Sequence, residues 1–460
     1  MRIIGNAGKA REVQAVASGA LASGDTVVVN SDGTVSVVEG SSGSIGSEAV
    51  FSTTSIQKPS ATFDTSNNKV AVAYLNNTNY ATVAVGTVSG TSISFGTPVV
   101  AESSGTEDTT VVFDSSNNKV VLTYRASGNG KSVVGTVSGT SISFGTKSSF
   151  QSSGVEYVRS VFDSNSNKVV AIWSNDNSSK AGTAAVGTVS GTSISFGSAA
   201  VFKSSGIYST SPAFDSTNNK IVIAYGISNI IEAVVGTVSG TSISFGTPVS
   251  SSVGGTYRIL AMNDSTGQGV IGYRNNVSPY DGKAISITVS GTSVSFGAGT
   301  QFTTDVKAVD SVVFDSSRNK FFIVYGVDIY PVTLSGTDVS FGSSSAISSE
   351  NIDQTVGAFD NNDKLVLAYR NLTDSQQGQS SVFSPPFTNA DSYIGTAATG
   401  APDGQGAKIN IKGAVDENQS GLTAGQSYYV QADGTLGTTP ADPSVFAGTA
   451  VAATKLIVKG

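Results

Sequence analysis

The chain has 460 residues, a net charge of −7, 13% charged residues, and neither histidine nor cysteine. Those two absences exclude disulfides, thiolate and imidazole metal sites, and histidine-based triads, leaving carboxylates, Tyr, Lys, Ser and Thr as the available chemistry. Its 26 basic residues are scattered, which argues against a nucleic-acid partner, and no run approaches the roughly 18 apolar residues of a membrane-spanning helix, so no membrane insertion is expected.

Met1 to Gly8 carries a charge with no apolar stretch behind it, so no secretory signal is expected and the chain is expected to be made in a cytoplasm without its own export address. Further along, Leu21-Ala22-Ser23-Gly24 leads through Val27-Val28-Val29 to Asp32-Gly33-Thr34, and Asp-Gly between apolar runs predicts a hairpin. Leu422, Gly425, Val430 and Asp433-Gly434-Thr435 repeat that spacing near the other end. The terminal segments are therefore expected to form one small β-domain, or two similar ones, with the rest inserted between them.

From Phe63 to about Phe383 one pattern recurs. Phe113-Asp114-Ser115-Ser116-Asn117-Asn118-Lys119 before Val120-Val121-Leu122-Thr123-Tyr124 reads as strand, turn and strand, because Asp, Ser and Asn bond nearby backbone and Asn tolerates left-handed geometry. Val133-Val134-Gly135-Thr136-Val137-Ser138-Gly139-Thr140-Ser141-Ile142-Ser143-Phe144-Gly145 reads as a hairpin turning at Ser-Gly. Turn aspartates at Asp64, Asp114, Asp163, Asp215, Asp264, Asp315 and Asp360 lie about 50 residues apart, the period of a four-stranded propeller blade.

Six copies end in Phe-Gly and the seventh does not. Ser44-Ile45-Gly46-Ser47-Glu48-Ala49-Val50-Phe51 matches Ser195-Phe196-Gly197-Ser198-Ala199-Ala200-Val201-Phe202 in register, and is expected to complete the seventh blade and remove two open sheet edges. The expected fold is all-β: a seven-bladed β-propeller over residues 43–388 closed by an N-terminal strand. Residues 1–42 are expected to pack with a small β-domain over residues 389–460.

Antiparallel pairing puts the Asp turn and the Ser-Gly hairpin at one end of each blade. The connections at the other end, such as residues 125–131, 174–182, 226–232 and 274–283, vary in length and composition, which is where specificity is expected on a rigid scaffold. An aromatic closes every second strand (Tyr74, Tyr124, Trp173, Tyr225, Tyr273, Tyr325, Tyr369) and reads as blade packing with a polar tip. Arg125, Arg274 and Arg370 follow it in three copies and are the candidate ligand-binding residues, suited to clamp a carboxylate or sulfate on a sugar, against the plainer reading of solvated arginine.

The turn aspartates read as caps, since each turn but the last brings a single carboxylate, too few for a calcium loop. Glu102, Glu107, Asp108, Glu156, Glu232, Asp281 and Asp305 lie in the varied stretches, but a glycosidase needs two carboxyls at a set separation and the sequence pairs none of them. No catalytic residue, metal or cofactor is assigned.

The repeated Val-Gly-Thr-Val-Ser-Gly-Thr-Ser-Ile-Ser-Phe-Gly unit with Phe-Asp-Ser-Ser-Asn-Asn-Lys resembles propeller repeats in structural proteins of tailed bacteriophages, particularly marine ones. The stretch from Tyr393-Ile394-Gly395-Thr396-Ala397 to Ala453-Thr454-Lys455-Leu456-Ile457-Val458-Lys459-Gly460 is similar to a C-terminal module of phage fibre-like proteins. The resemblance implies a non-enzymatic virion protein exposed on the particle, in tail, fibre or capsid surface. Its terminal domain would contact other virion proteins or join copies into a homo-oligomer, and its propeller would attach to a host glycan or protein. The alternatives are a purely structural capsid decoration or baseplate part, and a virion-associated glycan-degrading enzyme.

Overall fold

Runs of Val, Ile and Ala between capped turns fold each repeat into an antiparallel sheet in the computed structural model, which describes residues 11–41, 43–305, 307–441 and 444–459. The Met1 to Gly8 reading falls outside those residues. The described elements are strands, with two short 3₁₀ turns at Asp176–Ser178 and Ala390–Ser392. The chain divides into two compact units, Met1–Ser44 with Pro385–Gly460, and Ile45–Ser384. The expected boundary at residue 388 moves back because Pro385 and Pro386 cannot extend a ladder, and Phe387–Thr388 pairs instead with Gly40–Ser41 inside the terminal unit.

In the second sheet, Thr106–Asp114, Lys119–Ala126, Asn129–Ser138 and Ser141–Phe144 lie side by side in that order, and Ser148–Gln151 continues the outer edge. The fourth strand is thus broken in two at Gly145. A Cβ there would sit 1.9 Å from the carbonyl oxygen of Thr192 in the next sheet's hairpin, so only glycine lets the two sheets meet. Gly46 stands in the same relation to Thr91, at 1.7 Å.

The first strand to turn is held by its aspartate. Asp114 accepts hydrogen bonds from the Ser116 and Asn117 backbone N–H groups at 3.0 Å and from Asn117 Nδ2 at 2.8 Å, while Asn118 takes φ 52°. In the fifth copy this place belongs to Asn263, not to Asp264. Asn263 Oδ1 accepts from Ser265 N at 2.9 Å, and its own N–H closes the turn on Gln268 O.

Adjacent sheets pack through aromatic side chains. Phe150 meets Trp173 and Phe196 at 4.9 and 5.3 Å, Phe202 meets Tyr225 and Phe245 at 5.4 and 5.3 Å, and Phe51 meets Tyr74 and Phe95 at 5.3 and 5.4 Å. All seven strand-closing aromatics are buried, so they are core, as their periodicity indicated. Phe51 sits in Ala49–Ser55, which pairs with Gln377–Ser384, placing Val50 opposite Gln379. One strand, Val249–Met262, serves both as the outer edge of the fourth sheet and the inner strand of the fifth, so those two sheets are continuous.

The terminal unit contains one module twice. Its first sheet runs Glu12–Val16, Gly406–Asn410, Tyr393–Ala397, Thr26–Val29, Val35–Val37; its second runs Val415–Asp416, Lys455–Val458, Val445–Ala452, Ser427–Val430, Leu436–Gly437. Registers agree as well as order: Thr26 faces Thr396 and Val27 faces Gly395, while Ser427 faces Thr449 and Tyr428 faces Gly448, with a bulge next along in both. The repeat unit therefore interrupts the first copy between its third and fourth strands.

Candidate binding site

The arginines and acidic residues of the varied end lie mainly in strands, because the ladders run further than the sequence pattern suggests. Arg125 ends Lys119–Ala126, Arg274 lies in Gln268–Asn275, Arg370 in Leu365–Asn371, and Glu232 in Ile230–Ser239. Among the acidic candidates, only Asp281 and Asp305 fall outside strands.

Each of the seven acidic candidates is tied to a cation of the same end. Glu102 is reached by Lys147 at 3.2 Å, Lys131 at 3.4 Å and the Tyr124 hydroxyl at 3.2 Å. Burial pushes its carboxyl up, but the Ser104 backbone N–H and the two lysines outweigh this and hold it at about 2. Glu232 accepts from Lys203 at 2.7 Å, Tyr225 at 2.9 Å and Ser250 at 2.7 Å, and is likewise held below its ordinary value against its burial. Glu107 pairs with Arg125, Asp108 with Lys58 at 2.7 Å, Glu156 with Lys180 at 2.8 Å, Asp281 with Lys283 at 3.7 Å and Asp305 with Lys307 at 3.6 Å. Glu102, Asp108 and Glu232 are thereby tied to lysines on neighbouring strands.

Asp310 is the exception in its protonation. Burial pushes it up to about 7, the Asp353 charge adding to this against hydrogen bonds from the Gly326, Gln354 and Thr355 N–H groups. Those donors make it a brace between neighbouring inner strands.

The three candidate arginines are separated and unequal. Arg125 is committed to Glu107, and Arg370 makes a fork on Asp353 at 2.7 and 2.5 Å. Among the described residues Arg274 has no carboxylate partner: its Nε donates to Thr256 Oγ1 at 3.3 Å and its guanidinium lies 4.7 Å from the Tyr257 ring centre.

Next to Tyr257 stands an arginine that the sequence did not single out. Arg258 is 7% exposed and donates to Ser209 Oγ at 3.2 Å, and its Nε, like those of Arg125 and Arg318, has no hydrogen-bond partner among the described residues. It fits because the residue after Tyr225 is Gly226, where a Cβ would lie 2.2 Å from Arg258 Nη1. Burial lowers its pKa to about 10.

Exposed tyrosines lie on its own inner strand and on the two preceding ones. Tyr157, Tyr208 and Tyr257 are 37%, 46% and 52% exposed, and Lys180 lies 5.4 Å from the Tyr208 ring centre. A cleft of about 660 Å³ lies elsewhere, in the terminal unit. Its polar lining is spent on local turns: Asp25 accepts from Ala22 N, Asp433 from Thr435 N, and Gln419 donates to Gly24 O and Asp416. The Arg258 neighbourhood is thus the stronger site.

No family model and no curated protein sequence matches the chain. Among solved structures it is similar to the β-propeller domain of Cps50 (Swd1) from Myceliophteria thermophila, at 10% identity and TM-score 0.50, covering 74% of this chain and 99% of that one. It is also similar to a fungal alcohol oxidase of the AA5 family in complex with copper, at 11% identity and TM-score 0.50, covering 85% and 86%. The fold is therefore that of an all-β protein built on a β-propeller.

Proposed function

We propose that the chain is a non-enzymatic surface protein of a tailed bacteriophage particle whose propeller attaches to the host through its varied end, with the duplicated terminal module docking it to other virion proteins or joining copies. The observation that carries this reading is the division of labour at the varied end: the seven acidic residues of its connections each pair with an internal cation, while tyrosine rings stay exposed and Arg258 and Arg274 hydrogen-bond to hydroxyls. Such an end is stiff and chemically quiet, suited to holding a ligand instead of transforming it.

The propeller itself is read as seven blades closed by the N-terminal strand. Three links between the first and last repeats support that: Ala49–Ser55 on Gln377–Ser384, Lys58 N donating to Gln354 at 2.6 Å, and Asn361 Nδ2 donating to Thr65 O at 3.1 Å. A closed disc with one varied end would gain from multivalent display, roughly 10²–10⁴ in avidity where geometry allows.

The test is adsorption of the phage in the presence of excess purified chain, together with antibody labelling of the particles. Labelled particles with blocked adsorption are expected. Labelled particles with unimpaired adsorption and reduced robustness on losing the protein would instead make it a decoration or baseplate part, and release of reducing sugar from host envelope would make it an enzyme.

A further inference from the structure

Most inner strands slip register near their start, in the first repeat at Lys58 and in the seventh at Gln354, and in the third, fourth and fifth between Glu156 and Arg159, Tyr208 and Thr210, and Thr256 and Ile259. The residue at each slip takes positive φ: Tyr157 at 52°, Ser209 at 47° and Tyr257 at 51°. For a bulky side chain this conformation is unfavourable, and in two of these three repeats the residue that takes it is an exposed tyrosine.

These bulges are joined side to side. Thr210 Oγ1 donates to Tyr157 O at 3.1 Å, and Arg258 Nη1 to Ser209 Oγ at 3.2 Å. Lys180, fixed by Glu156, lies by Tyr208 with the Tyr157 phenol near enough to favour its charge. Arg274 covers Tyr257. Among the described residues, of the arginines in the propeller Arg125, Arg318 and Arg370 have carboxylate partners and Arg159 donates to the Val158 carbonyl, while Arg258 and Arg274 hydrogen-bond to hydroxyls.

A buried guanidinium with an unpaired N–H is costly unless an acceptor arrives. Its planar fork matches a carboxylate or a sulfate, and the flat tyrosine faces beside it suit the C–H faces of a sugar ring. We propose that Arg258 and Arg274, flanked by Tyr157, Tyr208 and Tyr257, form a binding site for an acidic saccharide, the arginines taking its oxyanion and the tyrosines its rings. The site deepens the attachment reading and rests on it for its biological setting.

The test uses the full chain with labelled oligosaccharides of equal length: an oligouronate, a sulfated galactan fragment and neutral maltohexaose. Binding of either acidic probe at least tenfold tighter than the neutral one is expected, and which acidic probe binds identifies the anion. Arg258→Met should weaken it tenfold or more and Tyr257→Ala several-fold, while Arg125→Met, on an arginine already paired, leaves it unchanged. Should Arg258→Met fail to fold, Arg274→Met on the surface carries the same expectation. Equal binding of acidic and neutral probes, or undiminished binding by the arginine variants, overturns the site. Acidic binding without any effect on phage adsorption keeps the site and removes attachment; blocked adsorption without acidic binding does the reverse.

Discussion

The two ends of the propeller sheets solve the same problem, satisfying polar groups where strands reverse, in opposite ways. At the uniform end the capping carboxylate is satisfied within its own turn: Asp215, fully buried, accepts from Thr217 N, Asn218 N and Asn218 Nδ2, all within three residues. At the varied end the bonds span the repeat, as from Lys203 to Glu232, 29 residues apart, or Lys58 to Asp108, 50 apart. Local satisfaction makes a turn that can be copied unchanged. Long-range satisfaction lets each connection differ while staying fixed, and it leaves some groups free for a ligand.

The sharpest way to break this comparison is to remove a long-range carboxylate. Glu232→Ala strands Lys203, Tyr225 and Ser250 at once and should cost about 3 kcal/mol in urea unfolding. Asp215→Ala, which frees donors that water can partly reach, should cost about 2 kcal/mol. Equal losses at an exposed site of the varied end would erase the distinction.

Acid titration probes the same contrast. Glu102 is held at about 2, below its ordinary value of 4.5, so the stability it contributes is present above pH 4.5 and fades as pH falls toward 2, by roughly 2–3 kcal/mol at most. Wild type should lose that increment between pH 5 and 2, and Glu102→Gln should show a flatter profile in the same window. The smallest expected effects are at an exposed ring and a partly exposed ion pair: Tyr208→Ala, and Lys180→Ala, which breaks the pair with Glu156, should each change stability by about 0.5 kcal/mol or less.

The sequence made the sheets legible because hairpins, caps and strand-closing aromatics are local patterns. The match of residues 44–51 to 195–202 was visible for the same reason, and so was the paired terminal hairpin. The rest needed three dimensions. Asn263 and Asp264 are neighbours, and only strand register decides which caps the turn. The second half of the duplicated module was hidden because its first copy is split by the whole propeller. Arg258 was overlooked because it lies within a strand, and its burial depends on a glycine in a different strand, Gly226. The pairing of Arg125 with Glu107 and of Arg370 with Asp353 depends on strand partners 18 and 17 residues away, so sequence alone ranked those arginines equally with Arg274.

The most direct test compares the two ends in one adsorption assay with purified chains as competitors. The varied-end double variant Tyr208→Ala/Tyr257→Ala should lose its ability to block phage adsorption, while Ser138→Glu/Ser239→Glu, which adds charge at two exposed hairpin tips of the uniform end, should block as well as wild type. Loss of blocking by the hairpin-tip variant with full blocking by the tyrosine variant would contradict the account.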